Sequence, residues 1–216
     1  MTTRTNTRDE AAERDLTTRP IPFLVKKIAI PASVGLFFHT MFNVVDTYFA
    51  GQVSTQALAA LSLSFPAIFL IIALGNGLAV GGTALMGNAL GSGDVDRATL
   101  LARQGIAVGL GCGVLMSGIG ILVSPFLFRS LGATNAYLDL CLVYMDIIFA
   151  GAAAFLLVNM SNAILQAQGD TRPHRNFLIA GFAANCALDP WFIYGGLGVP
   201  AMGIGGVALA TVIIQL

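Results

Sequence analysis

The chain has 216 residues, 56% of them hydrophobic and 10% charged, with no net charge and 25 glycines. Soluble domains carry about 25% charged residues, so the composition excludes an ordinary soluble domain, and charge neutrality gives no bias toward nucleic acid. Mean hydropathy is +0.81, and the glycines suit close helix–helix approach in lipid, where small residues take the place of a hydrophobic driving force.

Residues 1–27 read as a polar, charged cytoplasmic tail. It ends in an interfacial segment, Pro20-Ile21-Pro22-Phe23-Leu24-Val25-Lys26-Lys27. It lacks the apolar stretch and small-residue cleavage site of a secretory signal. From residue 28 to 216, hydropathy gives six spans of membrane-crossing length. They run about Ile28–Ala50, Ala57–Leu90, Leu100–Leu127, Tyr137–Gln166, Phe177–Tyr194 and Gly203 to the end. The second is long enough to need tilt or a bend, with Gly75-Asn76-Gly77 and Gly81-Gly82 as the expected places. Gly91-Ser92-Gly93-Asp94, Gly132-Ala133-Thr134-Asn135 and Gly169-Asp170-Thr171-Arg172-Pro173 are loop chemistry. Nothing alternates as a barrel strand would, so the expected fold is an all-α membrane protein, a six-helix transmembrane bundle. The sixth span has fourteen residues and no polar stop, so the chain reads as cut within it.

Orientation follows from Lys and Arg. Arg4, Arg8, Arg14, Arg19, Lys26 and Lys27 precede the first span; Arg97 and Arg103 follow the second, and Arg172 and Arg175 the fourth. Only Arg129 falls on the other side, which puts the N-terminus in the cytoplasm of a multi-pass inner (plasma) membrane protein.

Two carboxylates stand inside otherwise apolar spans: Asp46 in the first and Asp189 in the fifth. An ionisable group in hydrocarbon costs at least ~2.5 kcal/mol and marks ion or substrate pathways more often than packing. With the N-terminus inside, both sit about 7–9 Å below the outer boundary at ~1.5 Å per residue. Asn43 precedes Asp46 by three residues and Asn185 precedes Asp189 by four, so each amide shares a helix face with its acid. Thr211 enters from the outer side to a depth near 12 Å. Carboxylate, amide and hydroxyl oxygens make a hard-cation or proton site, and Pro190, just past Asp189, is a natural kink point. The alternative is that each aspartate only hydrogen-bonds a neighbour. Asn159 and Asn162, three apart on one face of the fourth span, are either site lining or interhelical glue. Asp146 lies deep in that span, facing a cavity or paired structurally, and Asp139 nearer its outer end. His39 and His174 are isolated; His39, in the first span, reads as a hydrogen-bonded structural histidine, with a titrating one the alternative. Cys112, Cys141 and Cys186 have no metal or redox spacing and read as small buried hydrophobes. No nucleophile, metal or phosphate-loop constellation appears, so no enzyme is predicted.

Several stretches together resemble the multidrug and toxic compound extrusion (MATE) transporters. They are Ile30-Pro31-Ala32, Asn43-Val44-Val45-Asp46-Thr47-Tyr48-Phe49-Ala50-Gly51, Ala57-Leu58-Ala59-Ala60-Leu61-Ser62 and Gly87-Asn88-Ala89-Leu90-Gly91-Ser92-Gly93-Asp94. Gln166-Ala167-Gln168-Gly169-Asp170-Thr171-Arg172-Pro173, Asn185-Cys186-Ala187-Leu188-Asp189-Pro190 and the run from Gly203 to Thr211 complete the match. The resemblance implies secondary active efflux by a twelve-span protein of two six-helix lobes, of which this chain is similar to the N-terminal one. A C-terminal lobe, in the same full-length chain or another half, would then be a partner. It also implies a coupling cation, H⁺ or Na⁺, held by Asp46, Asn185, Asp189 and Thr211, with Asn159 and Asn162 alongside; Asn43, on the helix face of Asp46, is expected to line the cavity with them. No other cofactor is implied. Substrates would be hydrophobic or cationic drug-like compounds. An arginine often stands where this chain has Gln166, and an acid at Asp146 departs from the family pattern. Two alternatives remain: a lipid-linked precursor flippase of the wider superfamily, which would be expected to carry interior Lys or Arg that these spans lack, or a truncated, non-transporting membrane fragment.

Overall fold

The computed structural model describes residues 20–196 and 198–215. The polar tail expected up to residue 19, with its four arginines, lies outside the described residues. The expected interfacial segment is helical: one α-turn, Ile21–Leu24, and a π-helical turn, Val25–Ala29, lead without a break into the first long helix. That helix, α1 (Ile30–Val53), has Pro31 in its first turn. The wider turn ends where Pro31 has no N–H to return to the preceding carbonyls.

Helix α2 (Thr55–Gly91) begins at Ser54, whose hydroxyl accepts the Ala57 N–H at 3.0 Å. Helix α3 (Val95–Ser130) begins at Asp94, whose carboxylate accepts the Arg97 N–H at 2.9 Å. Both caps satisfy first-turn donors that have no partner within the helix. The second span stays one α-helix of 37 residues through its glycines. The break falls instead in the fourth span, expected as one run. It consists of α4 (Asn135–Ala150) and α5 (Ala152–Ala167), bent by 45° at Gly151. The sixth span's Val212 fills the space a side chain at 151 would need: a Cβ there would meet Val212 Cγ2 at 2.5 Å. Helix α6 (Arg172–Tyr194) and α7 (Ile204–Ile214) complete the bundle. Among the described residues there is no strand, only an isolated bridge between Gly196 and Val199.

The helices fall into two groups. In one, α2, α3, α4 and α5 pack on each other; in the other, α1 lies along α6 and α7 packs on both. Helix α7 against α4, and α1 against α2, join the groups. Contacts of Gly35 with Arg175 and Leu178, and of Asp46 with Asn185, show that α1 and α6 run in the same direction.

Glycines set the closest approaches. A Cβ at Gly113 would come within 2.4 Å of the Ala153 Cα, and one at Gly206 within 2.7 Å of the Phe192 carbonyl carbon. The loop from α6 to α7 turns at Gly195, φ +77°, where a side chain would also strike Ala201 N and Val199 O, both at 2.8 Å. Trp191 Nε1 donates to the Gly196 carbonyl and Met202 N to that of Phe192, fixing the loop on the end of α6. This tight return brings Thr211 of α7 back beside α1.

Candidate functional site

Asp46, Asn185 and Asp189 are 6%, 0% and 0% exposed. The Asn185 side-chain amide donates to Asp46 Oδ1 at 2.8 Å and to Asp189 Oδ1 at 3.2 Å. One nitrogen therefore joins two carboxylates that lie 143 positions apart in sequence. Thr211 Oγ1 lies 3.2 Å from Asp46 Oδ2 and 3.0 Å from the Val207 carbonyl. A hydroxyl has one proton to give. When it goes to Val207, the contact with Asp46 is favourable only if Asp46 carries a proton or a cation sits between.

Asp189 Oδ2 and Asn185 Oδ1 are buried with no hydrogen-bond partner. Unpaired polar oxygens in an apolar interior are expensive, so Asp189 and the Asn185 amide each present an acceptor that a hard cation would satisfy, and a proton on Asp189 would relieve the pair. Oxygen donors of this type suit Na⁺ as well as H⁺. Among the described residues no group of three or more His, Cys, Asp or Glu side chains could hold a metal ion.

A cavity of about 180 Å³ lies beside this cluster, between the two groups of helices. Asp46, Asn43, Thr47 and Thr211 supply polar atoms; Phe42, Phe65, Phe155 and Phe177 supply aromatic wall. Tyr144 of α4, 3% exposed, faces it as well. The residue reading missed Tyr144. Its signal was depth: nine residues into α4, about 14 Å at ~1.5 Å per residue, it lies too deep for an interfacial aromatic belt.

The MatE family model matches residues 31–191. The chain belongs to the MatE family. A "FAD transporter" of Shewanella oneidensis is 30% identical over 91% of this chain and 43% of its own length. A "Probable multidrug resistance protein NorM" of Pasteurella multocida is 29% identical, over 87% of this chain and 40% of its length. Among solved structures, a MOP superfamily transporter from Pyrococcus furiosus superposes with a TM-score of 0.82 at 31% identity. It covers 89% of this chain and 42% of that one. The chain thus spans about two-fifths of the length of the relatives it matches, which is consistent with one lobe of a MatE transporter.

Within this MatE fold, Asp46, Asn185, Asp189 and Thr211 come together and Asn43 lines the adjoining cavity. Asn159 and Asn162 lie outside that cavity. Asn159 Nδ2 donates to the Phe155 carbonyl at 2.9 Å and packs on Gly75; Asn162 is buried, with Oδ1 unpartnered. Asp146 also lies outside it, 3.4 Å from the Ser124 hydroxyl. Asp139 and Gln166 are exposed. Of the three cysteines only Cys141 is buried; Cys112 is half-buried, and Cys186, expected inside, is exposed. His39, read as a structural histidine, instead lines the cavity.

Proposed function

We infer that this chain is the cation-coupled lobe of an exporter of hydrophobic, aromatic and often cationic small molecules. The supporting observation is the Asn185 amide bridging Asp46 and Asp189 while Asp189 Oδ2 stays buried and unpartnered. Entry of H⁺ or Na⁺ would satisfy that oxygen and draw α1, α6 and α7 together through Asp46, Asn185, Asp189 and Thr211. Loss of the ion would leave Asp46 free to face a cationic compound in the aromatic-walled cavity. Coupling arises because one set of oxygens cannot serve ion and compound at once, so each displaces the other as access alternates.

In this reading residues 28–216 form the N-terminal lobe and a C-terminal lobe completes the substrate path. Lys26, Lys27, Arg97, Arg103, Arg172 and Arg175 gather at the ends where α1, α3 and α6 begin, with Arg129 at the opposite end. By the positive-inside rule that end is cytoplasmic, in a plasma or inner membrane.

The test uses the full-length gene product in proteoliposomes, with an imposed proton or sodium gradient driving ethidium transport. Asp46→Asn and Asp189→Asn are each expected to abolish gradient-driven transport while leaving passive leak alone. Rates unchanged in both variants would refute the assignment, and the gradient that drives the wild type identifies the ion. A second reading has one observation in its favour: the relative named FAD transporter, which makes a flavin nucleotide a candidate cargo. Competition of FAD with ethidium distinguishes the two.

A further inference from the structure

His39 precedes Asp46 by seven residues on α1, two turns along the same face and roughly 10 Å away at ~1.5 Å per residue. Both side chains line the cavity. Among the described residues the imidazole has no hydrogen-bond partner; the bond at this position is the His39 carbonyl accepting from the Asn43 amide at 2.8 Å.

Basic groups gather at this end. His174 of α6 stacks its ring on Phe177, a wall residue, with ring centroids 6.5 Å apart. A turn below His39, a Cβ on Gly35 would stand 3.5 Å from the Arg175 Cα, and the Arg175 guanidinium donates to Asn176. Helices α2 and α7, the other long helices packed on α1, bring no titratable side chain to the cavity. The cavity therefore has the Asp46 carboxylate at one end, the exposed His39 imidazole toward the other, and a mostly apolar and aromatic wall between.

We propose that His39 determines specificity: its ring N–H binds the carboxylate of an amphoteric aromatic substrate whose cationic end is turned toward Asp46. The proposal rests on the efflux reading above and deepens it. A carboxylate carried into an apolar cavity is rejected unless a donor meets it; His39 supplies one toward the far end, and the Gln215 amide also lines the wall. A cation lacking that carboxylate gains nothing from the imidazole. His39 thus widens the accepted class from cations to amphoteric compounds of the same aromatic frame.

Rhodamine B and its ethyl ester share one cationic xanthene and differ in a free against an esterified carboxylate. Binding of each dye to the full-length protein in nanodiscs is read by fluorescence anisotropy, and the measured quantity is the ratio of the two affinities. His39→Phe is expected to shift that ratio against rhodamine B by about tenfold, the worth of a hydrogen bond to a charged group. His39→Gln keeps an N–H donor and should stay within about threefold of the wild type. His39→Met, of similar bulk and without the donor, repeats the test if the phenylalanine variant fails to fold. A ratio that neither donor-less variant changes overturns the proposal and leaves the efflux reading standing. A wild type that binds neither dye overturns both.

Discussion

Gly151→Ala tests the break in the fourth span and its tie to the carboxylates. The new methyl would lie 2.5 Å from Val212 Cγ2 and 2.7 Å from Cγ1, with the Val212 Cβ at 3.1 Å. Overpacking of this kind costs typically ~1–3 kcal/mol, offset by the roughly 0.5–1 kcal/mol that alanine gains over glycine in a helical backbone. The net loss should be about 1–2 kcal/mol. Val212→Ala alone opens a void and also destabilises. Combined, the two changes fit: both Cγ atoms are gone, the new methyl fills the void, and only the 3.1 Å contact remains. The pair should therefore be coupled by about 1–2 kcal/mol, within the range for residues in contact. Because Thr211 precedes Val212 and touches Asp46, the single Gly151→Ala variant should also lose gradient-driven transport, and the double variant should recover it. Apparent unfolding midpoints in detergent and transport rates in proteoliposomes give both readouts. Effects additive within ~0.5 kcal/mol, or a double variant as inactive as the single, would refute the reasoning.

Asn185→Ala removes the donor shared by two carboxylates and should lower the coupled transport rate by at least about tenfold, given the strength of hydrogen bonds to charged groups; near wild-type rates would argue that the amide is incidental. Thr211→Ser keeps the hydroxyl and should retain most activity, whereas Thr211→Val should lose most of it; equal rates would remove the hydroxyl from the mechanism. Gly113→Ala drives a methyl against the Ala153 Cα, which cannot rotate away, so folded yield should collapse. Gly118→Ala, with nothing within 4 Å, should express normally. Size-exclusion profiles of the two variants decide this pair, and similar profiles would show that the α3–α5 contact tolerates a side chain.

The spans could be read from sequence because each is a long apolar run bounded by glycine and Asx turns, as at Gly91-Ser92-Gly93-Asp94. Asp46 and Asp189 stood out because a charge in such a run has no ordinary explanation, and their equal depth already paired them. The bend at Gly151 was not legible. The residues around it, Phe149-Ala150-Gly151-Ala152-Ala153, are uniformly apolar, and what selects the break is Val212, some sixty positions later. The glycines of the second span carried a stronger local signal for bending and yet stay within one helix, because local preference is a weak prior that packing of one face on α3 and α5 overrides. Asn159, three residues from Asn162, looked like a cavity face; in the fold its amide is taken up by the Phe155 carbonyl a turn earlier. His39 was misjudged for a related reason, since whether a ring finds a partner depends on neighbours from other helices.

The amide that joins the carboxylates comes 139 residues after Asp46 in the chain, and the Thr211 hydroxyl 165 residues after it. During synthesis, at about 5–20 residues per second, the first span waits roughly 7–28 seconds for Asn185. Over that interval Asp46 must enter the bilayer unpaired, or linger at the insertion site until α6 and α7 arrive. The site is therefore closed only once α6 and α7 have been made, and delivery of the fifth and sixth spans becomes the step that completes the setting of the first.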